Sequence, residues 1–247
     1  MEGYNVNNDT CISVSHVTKR FGKKAALQDV TFDISFGEFF GLLGPSGAGK
    51  TTLVKMIGGI DEVTEGSISV LGTKMPNLKM MNKIGFMAQS DALYNELTAY
   101  ENIDFFATIY GLKGKVKQQR IDKVLELVNL LPEKKKPVHQ FSGGMKRRLS
   151  LAIAIVHEPE VLLLDEPTVG IDPILRQSIW DELRRLKDNG KTIIVTTHVM
   201  DEAEKCSRLG MIREGCLIGL GTPDELKAQT SANTLEEAFL TFGGVRG

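Results

Sequence analysis

No apolar run in this 247-residue sequence approaches the roughly 20 residues that span a bilayer, so the chain reads as one without a membrane-spanning helix. The opening MEGYNVNNDT also lacks the apolar stretch of a secretory signal. Residues 1–10, rich in Asn, are expected to form a loose leader. Basic charge is not in excess: 30 Lys and Arg against 31 Asp and Glu leave a formal net charge of −1. That balance gives no footprint for non-specific binding to a phosphate backbone, and nucleic acid is not expected as a partner. Cysteine is scarce, with Cys11, Cys206 and Cys216 forming no CxxC pair, which reads as reduced cytosolic thiols in a chain too large to need staples. Internal repeats and low-complexity tracts are missing too. What is present is a 42% hydrophobic composition, enough to bury one α/β core with an appended subdomain.

The first part of the chain alternates short β-type runs with turns: Ile12 to Thr18, Val30 to Ser35 and Glu38 to Leu43, with Phe21-Gly22 and Phe36-Gly37 between them. An antiparallel layer is the natural expectation. After the Gly-rich stretch from Gly44 to Lys50, apolar Leu53, Val54, Met56 and Ile57 predict a helix ended by Gly58-Gly59. Between Ala99 and Ile155 the pattern turns helical, with Ile121, Val124, Leu125 and Val128 on one stripe and Pro132 and Pro137 as breakers. From Val161 a βαβ pattern returns: a strand to Leu164, a helix with Asp172 as N-cap and Pro173 behind it, and a strand over Thr192 to Thr197. Leu175, Ile179, Trp180, Leu183 and Leu186 read as the packing face of that helix.

Gly44-Pro45-Ser46-Gly47-Ala48-Gly49-Lys50-Thr51 matches GxxxxGK[ST] between an apolar strand and a helix, the context that gives the pattern its meaning. Glycines let backbone N–H groups converge on phosphate oxygens, and the helix start adds about half a positive charge at the same place. Lys50 is expected to reach the terminal phosphates and Thr51 to offer its hydroxyl to magnesium, with Thr52 beside it. Val161 to Leu164 followed by Asp165-Glu166 reads as a buried parallel strand with two carboxylates at its ligand-facing end. There Asp165 would hold magnesium and Glu166 would polarise an attacking water. A strand that happens to end in an acidic turn is the plainer alternative for this segment taken alone.

These two motifs do not choose among phosphate-loop proteins; a third does. Phe141-Ser142-Gly143-Gly144-Met145-Lys146-Arg147-Arg148 resembles the LSGGQ signature that opens a helix in ABC-type ATPases. A second helix start able to bind an anion, besides the chain's own phosphate loop, suggests that two chains share ATP. Further positions resemble the same family in the same order, from about Ile12 to Gly221. Gln89 resembles the Q-loop glutamine that reaches magnesium and water, Val169-Gly170-Ile171-Asp172 the D-loop, and His198 the switch histidine on the terminal phosphate. Phe21 sits where the family stacks an aromatic on adenine, although packing beside Gly22 explains it as well. Met145 replaces the usual glutamine and Phe21 the more frequent tyrosine, and neither change removes a catalytic group.

The resemblance implies an α/β fold: a P-loop NTPase core with an N-terminal antiparallel β layer and an inserted α-helical subdomain, as in ABC ATPases. It implies one domain over 1–247, with the helical subdomain at about 91–156 and a C-terminal helical tail at about 222–247. It also implies ATP and Mg2+ as cofactors, ATP hydrolysis, a second ATPase subunit met as a homodimer, and a membrane-spanning permease subunit on a separate chain. The expected location is the cytoplasmic face of the membrane, through that subunit. The SGGMKRR variant, Leu97-Thr98-Ala99-Tyr100-Glu101-Asn102 and Thr234 to Leu240 are similar to the bacterial exporter branch of drugs, antibiotics, lipids or polysaccharides. Thr98 and Glu101 equally fit a capping box, and Lys146-Arg147-Arg148 reads as a solvated helix face. A ribosome-acting relative would carry two phosphate loops, a DNA-repair relative a long coiled coil between Lys50 and Ser142, and a phosphate-loop kinase would not need Ser142-Gly143-Gly144.

Overall fold

A computed structural model describes residues 9–90 and 92–244. In chain order the first elements are β1 (Thr10–Phe21), β2 (Lys24–Ser35), β3 (Phe39–Leu43), α1 (Lys50–Ile57), β4 (Glu65–Val70), β5 (Thr73–Lys74) and β6 (Ile84–Met87). Next come α2 (Ala99–Ile109), α3 (Gly114–Leu127), α4 (Gly143–Ile155), β7 (Val161–Asp165) and α5 (Pro173–Asp188). The chain continues through β8 (Thr192–Thr197), α6 (Met200–Ala203), β9 (Arg208–Arg213), β10 (Cys216–Gly221), α7 (Pro223–Thr230) and α8 (Leu235–Phe242). Two compact units result, one of residues 1–80 with 192–247 and one of residues 81–191. The leader through residue 8, Asp91 at the expected subdomain edge, and residues 245–247 of the expected tail lie outside the described residues.

In the first unit an antiparallel sheet of order β2-β1-β4-β5 forms the expected β layer. Its long hairpin is interrupted where His16 and Asp29 take left-handed backbones (φ 50° and 48°), and the two side chains meet there at 2.7 Å. These bulges break the strict alternation of apolar residues that marks a strand, so β1 and β2 run longer than the sequence pattern suggests. The third apolar run does not join this layer. β3 instead lies parallel between β8 and β9, and its burial on every residue is what a strand covered on both faces requires.

In the second unit β6 and β7 pair in parallel, Met87 opposite Leu164. α2, α3 and α4 fall in the interval where the apolar stripe predicts helices, and Ile121, Val124, Leu125 and Val128 are buried. Thr98 and Glu101 form the reciprocal cap of α2, and Asp172 with Pro173 opens α5, where Trp180 is fully buried. His157, just past α4, stacks on Tyr110 at 3.6 Å, and burial pulls its pKa down to about 4. Asn102 is buried and ties down the segment before α2: its amide donates to the carbonyls of Tyr94 (3.0 Å) and Thr98 (3.0 Å), and its oxygen accepts from the Tyr94 amide (2.9 Å). Asn102→Ala would leave these buried groups unsatisfied, so we expect a loss of about 2 kcal/mol in unfolding free energy. A urea midpoint unchanged from the parent chain would contradict this.

Candidate functional site

The loop from Gly44 to Gly49 leaves β3 beside β8, with Leu43 paired to Thr197 and the Gly44 amide donating to the Thr197 carbonyl at 3.3 Å. A Cβ on Gly44 would overlap the carbonyl oxygen of Ile212, so only glycine fits there. Gly49 has φ 108°, a conformation that side chains resist, and a Cβ on it would stand 2.7 Å from the Ala26 oxygen. Between them Pro45, Ser46 and Gly47 are exposed and Ala48 is buried. Lys50 is only 5% exposed and folds back over the loop, donating to the carbonyls of Gly44 (2.6 Å) and Pro45 (3.0 Å). Thr51 and Thr52 follow, half-buried, on the first turn of α1.

α2, α4, α5, α7 and α8 are each capped by a side chain; α1, α3 and α6 are not, and of these only α1 follows a glycine-rich loop, with Gly49 itself as N-cap. A helix start ringed by glycine amides and left without a side-chain acceptor suits an anion from outside the chain. His198 follows β8 directly and is exposed. The β3–β8 register therefore places it one residue beyond the strand end that holds Gly44. Phe21 ends β1 with its ring 56% exposed and the Lys19 ammonium 5.0 Å from the ring centroid. At that distance the ammonium is a cation–π partner of the exposed ring.

In the second unit the parallel ends of β6 and β7 bring Gln89 to Glu166, whose Oε2 accepts from the Gln89 amide at 3.3 Å. Asp165 is 1% exposed. Glu166 has φ 50°, a left-handed conformation that is strained for a residue with a Cβ. Ser142 caps α4, its hydroxyl accepting from the Met145 amide at 3.3 Å. The helix start expected to be open is thus partly filled by its own serine. Above Gly143 there is open space, and a Cβ on Gly144 would sit 3.2 Å from the Gly170 oxygen. Asp172 caps α5 through the Leu175 amide at 3.0 Å.

The basic run behind the signature is not the solvated face expected of it. Arg147 is 6% exposed, and its guanidinium donates to the carbonyls of Ala88 (2.6 Å), Gln89 (3.0 Å), Glu166 (2.7 and 3.2 Å) and Asp165. Arg148 donates to Val128 and Asn129 at 3.0 and 2.8 Å, and burial draws its pKa down against the opposing charge of Asp172. α4 buries Arg147 together with Leu149 and every residue from Leu151 to Ile155, as a helix packed on all sides does.

The loop and α1 fit the polyphosphate of a nucleotide through their amides, glycines and lysine. Thr51 in the first unit and Gln89 and Asp165 in the second each carry a hard oxygen of the kind magnesium takes, and no cluster of three or more His, Cys, Asp or Glu is found among the described residues. Few protein ligands beside phosphate oxygens is the usual arrangement for that ion. An α/β fold with this phosphate loop, and with a carboxylate pair ending a buried strand, defines a P-loop nucleoside triphosphatase.

Known proteins narrow the class. The ABC transporter family matches residues 27–169. The chain is similar to a probable multidrug ABC transporter ATP-binding protein of Escherichia coli, 42% identical over 94% of this chain and 41% of that protein. It is similar to a linearmycin resistance ATP-binding protein of Bacillus subtilis, 40% identical over 95% of this chain and 76% of the other. Among solved structures it resembles an ATP-binding subunit of an ABC transporter, with a TM-score of 0.87 and 28% identity, covering 95% of this chain and all of that one. Another is a dimeric post-hydrolysis state of an ATP-binding cassette bound to ADP and Pi, with a TM-score of 0.81 and 30% identity, covering 85% and 98%. The chain belongs to the ABC transporter family. It spans less than half of the E. coli relative and about three quarters of the B. subtilis one.

Proposed function

We propose that this chain powers export through a separate membrane-spanning permease subunit, pairing with a second copy of itself when ATP binds. The observation that carries this reading is the coexistence in one chain of two helix starts suited to anions: the uncapped start of α1 and the glycine-rich start of α4, with open space above Gly143. In this reading each nucleotide takes one helix start from each of two chains, so that two chains facing each other use both starts twice. The relatives named for multidrug transport, linearmycin resistance and Nod factor export support the direction of transport.

In this reading Lys50 and the amides of residues 44–52 hold the phosphates, and Ser142, Gly143, Gly144 and Met145 of the second copy close over them. Asp165, Thr51 and Gln89 would hold magnesium, which when bound neutralises charge developing on the phosphoryl oxygens. Glu166 takes the proton of the attacking water, with Gln89 fixing its carboxylate. His198 donates to the terminal phosphate, Asp172 and its segment meet the second copy, and Phe21 stacks on adenine. No helix among the described residues is long and apolar enough to cross a membrane; contact with the bilayer is proposed to go through the permease on the strength of the family resemblance.

The test is to capture the tagged chain from gently solubilised membranes of its own host and identify what accompanies it. We expect a polytopic membrane protein whose presence raises ATP turnover. Recovery with ribosomes, or turnover indifferent to any membrane subunit, would overturn the transport reading.

A further inference from the structure

One buried arginine joins three segments that the hydrolytic reaction needs held still. Arg147 lies on α4, one turn behind Ser142, and its fork reaches the carbonyls of Ala88 and Gln89 on one side and those of Asp165 and Glu166 on the other. Fixing the carbonyls of residues 165 and 166 fixes both peptide planes that flank the Glu166 Cα. That is the backbone held at φ 50°. A strained backbone persists only where its surroundings over-determine it, and a planar guanidinium with five donors in set directions is suited to do so. The same group orients the segment that delivers the Gln89 amide to the Glu166 carboxylate.

We infer that Arg147 is a positioning residue for hydrolysis: it holds the Glu166 backbone in its strained conformation and aligns Gln89 with the Glu166 carboxylate. It acts on the water-activating carboxylate and not on nucleotide affinity, since its donors are directed at these carbonyls. The inference rests on the catalytic reading of Glu166. Lysine in its place keeps the charge and much of the stem but offers a single ammonium, which cannot serve four carbonyls on two strand ends.

Arg147→Lys and Arg147→Gln in the full chain are compared with the parent by steady-state ATP turnover, Mg-ATP affinity and thermal midpoint. For folded variants we expect kcat to fall at least about tenfold, with KM and ATP affinity within about threefold. Residues acting through one group are non-additive, so single-turnover rates should show that Arg147→Lys costs little more once Glu166→Gln is present. Unchanged kcat in a folded variant, a loss confined to KM, or losses that multiply with Glu166→Gln would each overturn the inference. Failure of both variants to fold would also overturn it, leaving Arg147 a packing residue. Normal turnover by Glu166→Gln alone would remove the catalytic reading beneath it, an outcome distinct from all of these.

Discussion

Glu166→Gln is expected to stop ATP turnover, by about 100-fold or more, while ATP binding survives. Glutamine has nearly the shape of glutamate and can keep the contact with Gln89 by reorienting its amide, but it cannot accept the proton of water, and loss of a general base costs roughly 10²–10⁴ in rate. With hydrolysis blocked, the closed pair should accumulate because ATP binds both halves of the shared arrangement and stabilises it by mass action. Magnesium ATP should therefore move this variant from monomer to dimer in light scattering. Ser142→Arg in the same background should reverse the shift, since a long charged side chain at the start of α4 occupies the space above Gly143. Parent-like turnover by Glu166→Gln would end the catalytic assignment. Lost turnover with no dimer, even with the membrane subunit present, would leave Glu166 catalytic and defeat the shared-nucleotide mechanism.

Lys50→Ala carries the second large effect. The ammonium lies at 2.6 and 3.0 Å from two loop carbonyls of its own chain, and in the proposed reading it exchanges them for phosphate oxygens. Removing that charge should lower turnover by roughly 10²-fold or more. The fold should survive, because α1 is anchored by Leu53, Val54, Met56 and Ile57 and not by the lysine. Turnover and circular dichroism measured together decide this. Activity within a few-fold of the parent would show that the phosphates lie elsewhere.

The groups proposed to touch ATP were legible in the sequence largely because they stand in contiguous motifs, each a local conformation with its own residue requirements. Gly44 and Gly49 show why. Overlap at one and a left-handed backbone at the other leave glycine no substitute, and the spacing between them is set by one loop. Arg147 was illegible for the opposite reason. Its partners are 18–19 residues ahead and 58–59 behind, and a basic residue between two others looks like solvent-facing charge until the packing of α4 is known. The parallel placement of β3 was hidden likewise, because a five-residue apolar run does not announce its partners. The β9–β10 hairpin was missed although a signal was there: Glu214-Gly215 supplies two consecutive left-handed residues, φ 51° and 80°, between strands of a tight turn.

The left-handed backbone of Glu166 has a consequence for how this chain tolerates change. Glutamate there gives up about 1 kcal/mol that glycine, and in part asparagine, would recover, so selection for folding alone would drift away from glutamate at this position. Screens that reward thermal endurance without requiring turnover should therefore enrich inactive chains altered at 166. A more durable protein obtained that way would be durable because it had stopped working.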